Sequence, residues 1–351
     1  MPVLNHEMPR MTVSAAGSPL GGGGLRALFA DGSALISIGG LVAGGFAVEA
    51  AKSFMTNEPK GRIWFVLAFA AGVTVILVGF WQRAWRRRRL QVGIVITAAD
   101  NLAAARQREQ QAEAFSSQEC VLTLKAAVDL PIDQLQRLVL MEALVEETLQ
   151  AIITAQRLTP DAARINLIPT MRLQIAFWYG ARLGHTHSRE IAVYSVRQGN
   201  GNPAYFHATG LRASRNRKQI LTVAPLETVP GGDPSRVALA LDLQGRGTGF
   251  HDQVLNDCRN RGIGTLLLLS HTNPTLPETK KAFTAVTDQI CQVWRDSTLP
   301  VGGRTSQHTI YLSGPVAISV ALGARLAAAD RNRWTALSYN TVTSAYEPFP
   351  S

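Results

Sequence analysis

The 351 residues are 46% hydrophobic and only 17% charged, a charged share well below the roughly 25% of soluble proteins, so part of the chain is expected to lie in a membrane. Net charge is +10. Residues 1–115 hold 12 Lys/Arg against 7 Asp/Glu and residues 116–351 hold 23 against 18, which leaves the longer part too mildly basic for a nucleic-acid-binding face. Cys120, Cys258 and Cys291 form no CxxC pair; their odd number argues against a disulfide framework and fits buried thiols in a reducing cytosol.

In chain order, residues 1–30 read as disordered, because Pro2, Pro9, Pro19 and Gly21 to Gly24 break any element. Ala34 to Ala51 is a weak apolar segment. Its Gly40, Gly44 and Gly45 suit close approach to a partner backbone, and Glu49 near its end is expected at the headgroups. A poor signal sequence is the alternative, but no A-x-A pattern precedes a polar mature region and a second apolar helix follows quickly. After a turn containing Asn57 and Pro59, Ile63 to Trp81 runs 19 residues without a charge. As a helix it spans about 28 Å, close to a bilayer's hydrocarbon thickness, and Trp64 and Trp81 mark its ends as interfacial. A buried core helix is the alternative; Arg83 and Arg86 to Arg89, which follow at once, oppose it and place both ends of the hairpin in the cytoplasm.

Residues 90–114 read as a helical stalk, from Ala103 to Ala105 and the Gln/Glu/Arg stretch after them. The pattern then becomes α/β. Val121 to Val128 is a predicted strand, and Pro131 to Arg157 a long amphipathic helix with Pro131 in its first turn. Arg172 to Arg182 and Ile191 to Val196 are further apolar stretches, and Pro225, Pro230, Gly231, Gly232 and Pro234 form a linker. Beyond it strands at 236–243, 263–270, 308–313 and 334–341 alternate with helices at 250–260, 277–296 and 315–328, which implies parallel pairing and a Rossmann-like sheet. GARL occurs at Gly180–Leu183 and again at Gly323–Leu326, and fifteen residues after each Gly stands a serine, Ser195 and Ser338, in a strand-like stretch. The match predicts two related halves.

Enzyme motifs are missing: there is no GxxxxGK(S/T), GxSxG, HExxH or paired CxxC. His185 and His187 lack a third metal ligand nearby in sequence, and Gly245-Arg246-Gly247 is not GxGxxG. Ligands of open α/β sheets bind beyond the carboxyl ends of the strands. Three such loops offer candidates: Gln244, Arg246 and Thr248; His271 and Thr272; Ser313, Gly314 and Pro315. The third opens a helix, whose free N–H groups suit a phosphate. Arg246 can pair with phosphate, and His271 or a tyrosine can stack on a base. Trp178, Tyr179, Arg182, Tyr194, Tyr205 and Phe206 in the first half are candidates if the two halves face each other across one pocket; aromatics at mixed spacing are otherwise core.

HTIYLSGPVAISVALGARL, WTALSY and the late Tyr346-Glu347-Pro348, with ALALDLQG and IAFWYGARL…IAVYSV, resemble the pattern of SAVED domains over residues 118–351. The resemblance implies a fold of two fused CARF-like, Rossmann-like halves behind the transmembrane hairpin. Its expected boundaries are a disordered 1–30, a hairpin at 31–90, a stalk at 91–115, a first half at 116–230 and a second at 231–351. It further implies a non-enzymatic anti-phage (CBASS) membrane effector of the bacterial inner membrane, both termini cytoplasmic, that needs no cofactor. Its partners would be a cyclic di- or trinucleotide from a cognate nucleotidyltransferase, membrane lipid and further copies of itself, with no DNA or RNA. The alternatives are an anchored receptor that signals to a partner, or an anchored nucleotide-processing enzyme built on Asp242 and His271.

Overall fold

Residues 91–99, QVGIVITAA, form a near-continuous β-branched run, and in the computed structural model they are a strand with seven consecutive buried positions. The expected stalk is therefore absent. A stretch apolar on both faces, rich in Val and Ile, fits the middle of a parallel sheet, and only the Ala-rich part after it is helical. The structure describes residues 12–15, 33–55, 62–89, 91–159, 162, 164–198, 204–214 and 218–350. The side chains of 12–15, 33–34, 49–55, 62–66 and 82–89 lie outside this description, and with them Glu49, Trp64, Arg83 and Arg86 to Arg89. Of residues 1–30, expected to be disordered, 12–15 form a strand; the rest of that stretch and the turn at Asn57 and Pro59 fall outside the described residues.

The chain divides into two compact units. One, residues 15–91 with 161–163, holds helices α1 (Ser33–Met55) and α2 (Arg62–Arg89). They meet through small residues: a Cβ on Gly39 would stand 2.8 Å from the Gly72 carbonyl oxygen, and one on Gly72 2.7 Å from the Ala43 amide nitrogen. Gly40, Gly44 and Gly45, expected at a partner backbone, have open space around them; the contact face is the neighbouring one. Leu41, Leu77 and Trp81 are exposed. Among the described residues no helix is long and apolar enough to cross a membrane.

The other unit holds two α/β repeats. The first runs β2 (Gln91–Ala99), α3 (Leu102–Glu119), β3 (Leu122–Asp129), α4 (Gln134–Leu158), β4 (Arg164–Met171), α5 (Leu173–Leu183), β5 (Glu190–Val196), β6 (Tyr205–Gly210). The second runs β9 (Asp233–Asp242), α6 (Thr248–Asn260), β10 (Ile263–Ser270), α7 (Lys280–Asp296), β11 (His308–Ser313), α8 (Val316–Leu322), β12 (Trp334–Asn340), β13 (Ala345–Phe349). A strand β1 (Thr12–Ala15) adds to the edge of the first sheet; β7 (Thr222–Val223), just before the expected linker, and β8 (Glu227–Thr228), inside it, pair with β10. The sheet orders β3-β2-β4-β5-β6 and β10-β9-β11-β12-β13 are equivalent. In both, the last strand is antiparallel to its neighbour, while β2–β3, β4–β5, β9–β10, β9–β11 and β11–β12 are parallel.

The GARL repeat lies at the heart of this arrangement. A Cβ on Gly180 in α5 would stand 2.0 Å from the Val320 carbonyl oxygen, and one on Gly323 would stand 1.9 Å from that of Phe177. Each glycine thus packs on the carbonyl three residues before the other, so the two equivalent helices cross backbone to backbone. At this crossing α8 widens into a π-helical turn, Gly323–Ala327, where a regular helix to 328 was expected. The arginines of the two motifs are also equivalent: Arg182 pairs with Glu142 in α4 at 3.1 Å and Arg325 with Asp288 in α7 at 2.6 Å. Helix α4 starts later than expected, because the Asp133 carboxylate accepts from the Gln136 amide at 2.8 Å and caps it, leaving Pro131 outside the first turn.

Candidate functional site

The carboxyl ends of β4 and β5 and the start of β6 face the loops that follow β9, β10 and β11 across an open cleft of about 240 Å³. The second half builds its wall from tight turns. Asp242, buried at the end of β9, accepts from the Gly247 amide at 2.7 Å and the Gln244 amide at 3.3 Å. These bonds curl the loop so that Gly245 and Gly247 take positive φ. A Cβ at Gly245 would also stand 2.8 Å from the carbonyl of Asn273. Ser313 Oγ donates to Gln244 Oε1 at 3.0 Å and orients that amide at the cleft. Gly314 passes so close to Leu243 that a Cβ would meet it at 2.8 Å.

The first half contributes Tyr194, Ser195, Val196 and Gln198 from β5 and its end, Tyr205 from β6, and Arg108 from α3. Tyr205 packs at a tilt against Phe115 with ring centroids 5.2 Å apart and donates to the Arg108 carbonyl at 3.3 Å. Arg164 Nη2 donates to the Tyr194 hydroxyl at 3.0 Å, and burial raises the pKa of that phenol. Behind it His207 lies nearly parallel to the Tyr194 ring. Burial, with Lys280 and Arg164 nearby, brings the His207 pKa down to about 4. Arg197 reaches across to the second half, donating to the Glu278 carbonyl at 3.2 Å and its carboxylate at 3.3 Å while resting over the Phe206 ring. The cleft therefore joins two tyrosines, a serine, two amide side chains and one arginine, with Glu278 already bound by protein donors. Such a lining can stack a base and bind its polar edge.

Of the residues expected from sequence, Gln244, Gly314, Pro315, Tyr194 and Tyr205 line this cleft, and Ser313 supports it from behind. The others do not meet there. Arg246 turns away over the Tyr339 ring, 5.6 Å from its centroid, and bonds Gln253 at 3.2 Å. Thr248 borders a separate hollow of about 520 Å³ with His251. His271 is buried and bonded to the Asn273 carbonyl at 2.8 Å, with Thr272 exposed beside it. Asp242 and His271, the pair an enzyme would use, are thus both committed to backbone. Trp178 and Tyr179 are core: the indole meets Phe349 edge-on at 5.3 Å, and the fully buried phenol donates to Thr148 at 3.0 Å, its pKa raised by burial. Arg182 lies over Trp178 and pairs with Glu142. The expectation of aromatics from α5 in the pocket fails because α5 is sandwiched between the two sheets.

Arg108, Gln198 and Glu278 are not foreseen by sequence, and the candidate Phe206 packs edge-on against Phe283 at 5.1 Å instead of lining the cleft. A larger hollow of about 910 Å³ at the amino end of β11 is lined by His308, Trp294 and Trp334. Its Arg304 and Arg325 are engaged with backbone carbonyls. His185 and His187 bond the carbonyls of Ala324 and Leu183, and among the described residues no group of His, Cys, Asp and Glu is placed to hold a metal.

No family model matches the chain. No curated protein matches its sequence. Among solved structures it is similar in fold to the Cap4 SAVED/CARF-domain containing receptor of Acinetobacter baumannii with the cyclic trinucleotide 3′3′3′-cAAA. That match has a TM-score of 0.45 and 11% identity over 82% of this chain and 58% of that one. The same receptor with 2′3′3′-cAAA gives 0.44 and 12% over the same shares. The Moraxella osloensis Cap4 receptor gives 0.37 and 10% over 92% of this chain and 76% of that one. The chain thus spans 58% of the length of the Acinetobacter receptor.

Proposed function

We propose that the repeat unit is a SAVED-type receptor for a cyclic oligonucleotide and that the N-terminal hairpin is its membrane effector in anti-phage defence. The observation that carries the reading is the cleft, where strand ends of the two repeats face each other and present Tyr194, Tyr205, Arg108 and Gln244 to one space. At about 240 Å³ it falls below the roughly 300–1,000 Å³ of sites that engulf a whole drug-sized ligand. It would take one base and its sugar, with the rest of the ring lying across the strand ends. The protein in this reading is not an enzyme: the ligand drives self-association by binding the assembled state more tightly. The clustered hairpins then breach the inner membrane, with both termini in the cytoplasm. The uncharged run 63–81 and the arginines after it support the membrane part.

The test is a thermal-shift screen of the full chain in detergent against cyclic di- and trinucleotides, 3′3′3′-cAAA and 2′3′3′-cAAA among them, followed by dye leakage from liposomes holding the protein. One ligand is expected to raise the melting temperature, enlarge the particle and release dye. Arg108→Ala and Gln244→Ala, both exposed and free of core packing, should each weaken it about tenfold. A well-folded chain that no cyclic nucleotide stabilises would overturn the receptor reading; binding without leakage would leave the hairpin a mere anchor.

A further inference from the structure

The repeat creates a second position equivalent to the open cleft, at the carboxyl ends of β11 and β12 and the start of β13, facing the loops after β2, β3 and β4. The shift of 143 residues that carries Gly180 onto Gly323 carries Met171 and Arg172 onto the cleft residues Gly314 and Pro315. This second position is filled by the chain's own charges. Arg137 and Arg172 both donate to Asp100, Arg172 at 2.7 Å, and Arg172 Nη1 donates to Glu347 at 2.6 Å. Glu347 is held from its other oxygen by Asn340 at 2.5 Å.

Several features set the cluster apart from a surface ion pair. Arg137 Nε is buried without a hydrogen-bond partner. Burial and the neighbouring Arg172 charge both lower the Arg137 pKa, so the two guanidinium groups crowd each other. Asp100 is held by both arginines, whereas Glu347, on the edge strand β13, is held by Arg172 and Asn340. Glu347 is the member that can leave. Arg172 directly follows Met171, which lines the open cleft. Two adjacent guanidinium groups match the oxygens of one phosphate, and Arg–phosphate pairs gain a second parallel hydrogen bond that a lone carboxylate oxygen does not use.

We infer that this cluster is a self-occupied phosphate site, in which Glu347 holds Arg172 and Arg137 until an anionic ligand lying across the strand ends displaces it. The inference rests on the proposed receptor function and adds to it an internal competitor: the face is electrically balanced while Glu347 is seated and basic once its side chain swings away. An ordinary strut would behave differently, since removing either partner would only cost stability.

The experiment uses the full chain in detergent as wild type, Glu347→Gln and Arg172→Gln, with inorganic pyrophosphate and 3′3′3′-cAAA as probes and thermal shift and calorimetry as readouts. Glu347→Gln is isosteric and keeps an acceptor for Asn340, so it folds. It should tighten pyrophosphate binding about two- to fivefold by removing the competitor, while Arg172→Gln should weaken it about tenfold or more. Equal pyrophosphate response in all three proteins, including no response, overturns the inference. If the cyclic trinucleotide binds all three alike, the inference falls and the receptor function stands. If no cyclic nucleotide binds but the pyrophosphate pattern holds, the receptor function falls and the anion site stands.

Discussion

Gly180 and Gly323 show how much one hydrogen atom decides. Each sits where a methyl group would stand about 2 Å from a carbonyl oxygen of the facing helix, and neither backbone can retreat without moving a whole sheet. Gly180→Ala or Gly323→Ala should therefore destabilise the unit by about 2–4 kcal/mol, although alanine is the better helix former by about 1 kcal/mol. Urea unfolding of each variant checks this, and a stability equal to wild type would mean the helices part easily. His207 gives a second expectation, in pH. Its folded pKa of about 4 lies below the roughly 6.5 of an unfolded histidine, so the unfolded chain takes up the proton first. Its contribution is complete above pH 6.5, shrinks as pH falls and is gone below pH 4, a loss of about 2–3 kcal/mol. Wild type should lose more stability than His207→Gln between pH 7.5 and 4.5; parallel curves would show the imidazole is not responsible.

At the level of elements, the strand at 91–99 carries the clearest consequence. It lies between β3 and β4 inside the first sheet, so a fragment beginning at residue 116 lacks both its central strand and most of α3. Such a fragment should be unfolded by circular dichroism, whereas one beginning at residue 91 should give a cooperative melt. The boundary at 116 was misplaced because helix-forming Ala, Gln and Glu at 102–119 dominated the window and hid the short β-branched run before it. Where strands and helices alternate cleanly, as from 236 to 341, three strand positions were legible to within a residue or so, because runs such as IGTLLLLS have no competing period. The strand RINLIPTM at 164–171 was not legible: its proline and arginine break the pattern, and it is held by burial between neighbours. For the site, loop position identified Gln244, Gly314 and Pro315, but whether a side chain turns into the cleft or onto Tyr339, as Arg246 does, depends on tertiary contacts that spacing cannot encode.

For the repeat unit as a whole, the two GARL motifs were enough to predict a doubled architecture, and the equivalent strand orders bear that out. What no motif could reveal is how far the halves have diverged around their common axis, one cleft open and its counterpart closed by Asp100, Arg137, Arg172 and Glu347. The crossing of α5 and α8 has a mechanical meaning as well. Side chains in a packed interface can change rotamer and absorb a displacement; two backbones in direct contact cannot. The glycine pair is therefore a fulcrum, and the helices on it are rigid levers. Torque applied beside Arg172 and Pro315, where both levers begin, is delivered at their far ends, where His185 grips the Ala324 carbonyl and Arg325 grips those of Gly210 and Leu211.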